Sequence, residues 1–154
     1  MLRKMFEVEV FVAAPIVVGQ DDVVGRRQLI PIETGKLIGY DYQGNTIAEE
    51  VLPGGVDSQI IRPDGICNLS ARYAIRLEDG RSFYIENNGV RSVPFEDVAK
   101  VVAGEFVESN HYYFATSPQF EIYDQSLDWL KKYFYVCQAQ RFVDRVKLEF
   151  YLVE

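Results

Sequence analysis

Histidine is all but missing from this 154-residue chain, with His111 the single example. A Ser-His-Asp relay would have to pass through that residue, and no G-x-S-x-G elbow accompanies it, so serine-hydrolase chemistry is not expected. Lying beside Asn110 just ahead of a strand-like run, His111 reads as a surface residue. Its isolation excludes a histidine-built metal site, and no loop has the Asp-x-Asp-x-Asp-Gly spacing of a calcium ligand set. Cysteine is nearly as scarce: Cys67 and Cys137 lie far apart with no C-x-x-C spacing, and both read as small buried hydrophobes. The glycine clusters do not open a helix after a buried parallel strand, as phosphate or dinucleotide cradles do. Neither a metal nor an organic cofactor is therefore expected. Excess positive charge is lacking too. With 16 Lys and Arg against 23 Asp and Glu, the net charge of −7 repels a polyanion, so nucleic acid is not an expected partner. No run approaches the roughly 18 consecutive apolar residues of a membrane helix. Met1 to Met5 leads straight into an alternating pattern without a signal-peptide cleavage site. These absences lead to the expectation of a cytoplasmic protein with no membrane partner.

What is present belongs to a folded β protein. Hydrophobic residues make up 48% and charged residues 25%, too apolar a mixture for disorder, and the length suits one domain over 1–154. Phe6, Val8, Val10 and Val12 alternate with Glu7 and Glu9, the period of a half-buried strand. Residues 19–25 read as a loop, and Gly35, Gly39 and Gly44 punctuate the next extended runs as bends of a curved sheet would. The longest pattern, 66–77, places Leu69, Ala71, Tyr73, Ile75 and Leu77 on one face. Asp79-Gly80 then signals a hairpin into 82–90. Extended runs at 112–121, 133–142 and 146–153 complete the set. One short helix is expected near 94–103, with Pro94 at its start, Glu96 and Asp97 in its first turn and Gly104 past its end. A single helical turn is read at 126–130. The sum is mainly β, with about eight to ten strands, and the glycine bends and long strand favour a single antiparallel β-barrel over a sandwich.

Several motifs carry a resemblance: Gly25-Arg26-Arg27 through Pro31-Ile32 and Gly35, Leu52-Pro53-Gly54-Gly55-Val56-Asp57-Ser58-Gln59, Arg62-Pro63-Asp64-Gly65, Ala71-Arg72-Tyr73, Asn88-Gly89-Val90-Arg91, Tyr112-Tyr113-Phe114 and Trp129-Leu130. In their order, and over nearly the whole chain, the sequence resembles domain of unknown function family 3237. That resemblance implies a lipocalin-like (calycin) β-barrel found in bacterial and fungal proteins, and it leaves the activity open. The chain departs from the family pattern at Ala115, where an arginine is common, at Lys131, where an asparagine is common, and at Val56. If Ala115 and Lys131 faced a cavity, ligand preference would change.

The expected function is binding of a small aromatic or apolar organic molecule inside the barrel. An arginine near carboxylates or rings orients such a ligand, and tyrosines supply both ring and hydroxyl. Gln59, Arg72, Tyr73, Tyr84, Asn88, Arg91, Tyr112 and Trp129 are the candidate ligand-binding residues, with Tyr113 beside them. Arg72, in mid-strand, calls for solvent or a partner, which a wet interior would give it. Asp64 reads as turn chemistry. One alternative is a cofactor-independent isomerase, cyclase or lyase, with Asp57 or Glu121 as catalytic acid-base and Tyr112 or Arg91 stabilising an enolate. The other is a structural protein with a solid core, acting through its rim or as a homo-oligomer, which open strand edges would invite. An enclosed volume on the order of 300 Å³ separates a container from a solid barrel.

Overall fold

A computed structural model describes residues 1–103, 105–108 and 112–154. Ten strands are present: β1 (Leu2–Val12), β2 (Ile16–Asp21), β3 (Gly25–Tyr40), β4 (Thr46–Val51), β5 (Val56–Ile61), β6 (Cys67–Arg76), β7 (Ser82–Ser92), β8 (Tyr113–Ile122), β9 (Tyr135–Arg141) and β10 (Arg145–Val153). All their pairings are antiparallel, and pairing of β1 with β3 closes the sheet into a barrel. The ten strands fill eight positions around the wall. The reason is β3, whose 16 residues are flanked on one edge by β1 and then β2, and on the other by β4 and β5.

Both flanking breaks fall at the same level, at residues 13–15 and 52–55, and the backbone shows why the chain tolerates them there. Pro31 cannot donate to a ladder. It lies opposite the first break, where its carbonyl accepts from the Ala13 N–H, while on the other edge the Ile32 N–H donates to Gly55 across the second. The run through Pro31 and Gly35, which reads as two segments in the sequence, is thus one continuous strand. Two strands have no counterpart in the sequence pattern: β2, which runs through Asp21 into the 19–25 stretch that reads as a loop, and β5, bracketed by Pro53-Gly54-Gly55 and Pro63-Asp64-Gly65. Closure needs close approach at Gly35, where a Cβ would collide with the Glu9 carbonyl of β1, and at Gly39, where one would collide with that of Met5.

The ends of the barrel differ. At one, a 3-10 helix over Gln125–Lys131 (the plug helix) buries Leu127 and Leu130 in the core, its first turn capped by Asp124 accepting from the Ser126 N–H. At the other, a 3-10 turn, Phe95–Asp97, leads into α1 (Val98–Val102), where the helix was expected. Val98 lies against Gly65 of the β5–β6 turn and Val101 is buried, so this cap covers the second end. Gly104 and His111 lie outside the described residues. None of the described helices is long and apolar enough to cross a membrane.

The wall is not paired equally. β6 and β7 match from Cys67 opposite Arg91 to Arg76 opposite Ser82, whereas among the described residues β8 and β9 pair only at Ala115 opposite Gln138 and Thr116 opposite Cys137. Towards the plug helix the interior is apolar and aromatic. Phe6 and Phe150 lie 4.7 Å apart between ring centroids, and Phe120 meets Tyr135 edge-on at 5.1 Å. These rings fill the core at this end.

Candidate functional site

Inward positions follow the strand period, so each inward-phase polar residue is a polar group in the barrel. Towards the α1 cap these accumulate. Gln28 continues the phase of Ile30 and Ile32 on β3, Asp57 and Gln59 share the phase of Ile61 on β5, and Asn87 and Arg91 follow Phe83 and Ile85 on β7. Thr116 on β8 and Arg141 on β9 complete the group, and all seven are buried. Arg26, half-buried, occupies the next inward position of β3.

A chain of hydrogen bonds sets the carboxyl group. Gln28 Nε2 donates to Gln59 Oε1 at 2.9 Å, and Gln59 Nε2 donates to Asp57 Oδ2 at 2.9 Å. Asp57 Oδ1 has no partner among the described residues, and neither do Gln28 Oε1, Asn87 Oδ1, Thr116 Oγ1 or Arg141 Nη1. Burial pushes the Asp57 carboxyl above the usual carboxylate range, outweighing the Gln59 hydrogen bond and the charges of Arg91 and Arg141. Burial, reinforced by Arg91, pulls the Arg141 guanidinium down against the opposing charges of Asp57 and Asp144. Arg91 lies over the Phe114 ring at 5.7 Å, and the Arg141 N–H donates to the Tyr112 hydroxyl at 3.2 Å. The Tyr73 phenol, shifted far up by burial, sits next to Asn87 without a well-formed hydrogen bond.

Four of these groups, Asp57, Tyr73, Asn87 and Thr116, form the polar side of a cavity of about 30 Å³, and Val10, Val12, Phe114 and Leu148 line its apolar side. A space of this size holds a water molecule or two, well short of the volume of an open container. Larger depressions lie elsewhere. One of about 760 Å³ runs over the outer face of β8 and β9 and is lined mainly by outward-phase residues. A cleft of about 410 Å³ beside the plug helix holds Trp129 above Phe6, Leu37 and Phe83. The buried, unpartnered polar groups make the small cavity the candidate site.

The expected site residues divide accordingly. Asp57, Gln59, Tyr73 and Arg91 come together inside, with Tyr112 half-buried at their edge. The structure does not bring the others there. Arg72 points outward and pairs with Glu86 at 3.3 Å on the barrel surface, so no wet interior is needed to explain it. Asn88 reaches the same Glu86, Tyr84 is on the outward phase of β7, and Tyr113 is exposed. Glu121 is exposed and bonded to Tyr123, and Trp129 belongs to the opposite end. None of the three departures from the family pattern faces the interior: Ala115 is on the outward phase of β8, Val56 on that of β5, and Lys131 pairs with Asp128 at 3.3 Å. Asp64 does hold its turn, accepting from the Ile66 N–H at 3.1 Å.

Gln28, Asn87, Thr116 and Arg141 are the site residues that sequence reasoning missed. Their signal was a polar residue in phase with an apolar series, as Arg141 is with Tyr135, Cys137 and Ala139. The cysteines are as buried as expected. Burial pushes the Cys67 thiol up to about 11 and that of Cys137 up to about 12. Both should therefore be silent to a disulfide reagent at pH 8 in the native protein and titrate as two equivalents in denaturant; rapid native labelling would contradict the packing.

Comparison with known proteins gives consistent relatives. A UPF0311 protein of Clostridium acetobutylicum is 53% identical over 151 residues, covering 98% of this chain and 92% of its own length. A crystal structure of a protein of unknown function from the same species superposes with a TM-score of 0.89 at 50% identity, covering 100% of this chain and 97% of that one. A β-barrel-like protein of Acinetobacter baumannii follows at a TM-score of 0.81 and 26% identity, with 100% and 96% covered. The model for the family described as protein of unknown function (DUF3237) matches residues 1–153, and the chain belongs to that family.

Proposed function

We propose that the capped half of the barrel binds a small organic molecule, seated among Asp57, Asn87, Thr116 and Arg141. The carrying observation is the set of unpartnered polar atoms converging on one buried cavity, because such atoms almost always find partners in a finished core. A barrel selected only to be solid would be better served by apolar side chains at these positions. In the closed form the free space is small, so a ligand enters by displacing the α1 cap. Native mass spectrometry and crystallography of the protein as purified test the reading. The expected result is a bound organic molecule in contact with Asp57 and Thr116. An interior holding only ordered water, with no molecule of a diverse panel raising Tm, would favour the solid barrel instead.

A second reading, acid-base catalysis on the bound molecule, is favoured by one feature: the carboxyl of Asp57 is buried, fixed by Gln59, and holds its proton unusually well. Arg91 would then stabilise an enolate. Turnover lost in Asp57→Asn while binding persists supports this role; equal turnover in the two proteins removes it. Self-association would use the outer edge of β2, which pairs only with β3 among the described residues and exposes Ile16, Val17 and Val18.

A further inference from the structure

We infer that the molecule held in the capped half is an organic carboxylate, whose charged end meets Arg141 and Arg91 and whose apolar part lies against Phe114, Val10 and Leu148. The inference rests on the ligand-binding reading above and adds the chemical class.

The reasoning is a count of charge in a place that water does not screen. Asp57, Arg91 and Arg141 are 8%, 5% and 6% exposed. Two are guanidinia, which stay charged in proteins, and one is a carboxyl, so even with Asp57 ionised a positive charge is left over inside, Asp144 lying exposed and paired with Arg145. Neither arginine forms an ion pair among the described residues, although eleven such pairs occur elsewhere on the molecule. Arg26, half-buried on the inward phase of β3, adds to the imbalance, and its Nε is unpartnered. An uncompensated charge in a low-dielectric interior is strongly unfavourable and marks a position that an opposite charge completes.

The type of anion follows from the donors. Arg141 Nη1 is free, and a guanidinium presents paired N–H groups whose spacing fits the two oxygens of a carboxylate. The Thr116 hydroxyl, also unpartnered, supplies a further donor. Arg91 lies over the Phe114 ring, which with Val10 and Leu148 walls the cavity in hydrocarbon and ring, and that suits an organic acid better than an inorganic ion.

The test compares acids with neutral amides of the same shape on the unmodified protein. Propionate with propionamide, and benzoate with benzamide, span a probe near the closed cavity size and one that requires the cap to move. Titration followed by amide NMR should give at least one acid binding tenfold or more tightly than its amide, with shifts at Thr116 and Arg141. That preference should vanish in Arg141→Met and weaken in Arg91→Met. Acid and amide binding within tenfold of each other overturns the anion assignment and leaves the small-molecule reading standing. If neither acids nor amides bind, the reading beneath it falls as well. A preference that survives in a folded Arg141→Met protein would place the anion elsewhere and overturn the inference.

Discussion

Phe150→Ala should cost about 3–5 kcal/mol of stability, lowering Tm by on the order of 10 °C for a domain of this length. Phe150 is fully buried, and its ring lies 4.7 Å from Phe6 and 6.4 Å from Phe120. Truncation removes the ring's transfer free energy and leaves a void that strands pinned on both sides cannot close: β10 is paired along its length with β1 and with β9. Phe6, Phe120 and Tyr135 also lose their mutual support, because Phe120 touches both Phe150 and Tyr135. Chemical denaturation of wild type and variant at one temperature is the measurement. A loss under 1 kcal/mol would mean that the plug end repacks freely and is not the rigid half of the barrel.

Asp57→Asn should change the pH dependence of folding, with the opposite sign from an ordinary surface carboxylate. The Asp57 carboxyl is raised by burial in the folded state, so between its unfolded and folded values the native protein binds more protons than the unfolded chain. Its contribution to stability is fully present below the unfolded value near 4 and is lost as pH rises through the folded value. Asparagine mimics the protonated form and cannot ionise. The variant should therefore match wild type at about pH 4 and exceed it at pH 7, with the gap opening as pH climbs. Parallel Tm curves across that range would show that Asp57 ionises in the fold without penalty, and would remove the case for it as a proton store.

Much of this architecture could be read from the residues because the informative signals were local. The alternation along β6, the Asp79-Gly80 turn and the Pro94 start of the α1 segment are each contained within a dozen positions, and each lies where expected. β5 escaped because its six residues lie between two turn clusters and its inward phase begins Asp57, Gln59, inverting the apolar-in pattern that reveals a strand. The site was half legible for a related reason. Asp57 and Arg91 stand out in the sequence as polar members of motifs, yet Arg72 does so equally and stands on the outside. Which phase of a strand faces in is settled by closure between β1 and β3, a contact spanning the first forty residues, and no short window contains it. Once that phase is fixed, Gln28, Asn87 and Arg141 identify themselves.

The sparse ladder between β8 and β9 has a consequence for how the molecule breathes. Two facing pairs near Thr116 join these neighbours, while their far edges are held by long partners, β7 on one side and β10 on the other. Fluctuations that part the staves should thus start at this seam, and Thr116 and Cys137, which form one of its two pairs, belong one to the rim of the interior void and the other to the packing just beneath. A lateral slit at that height would admit solvent to the heart of the protein while both lids stay shut.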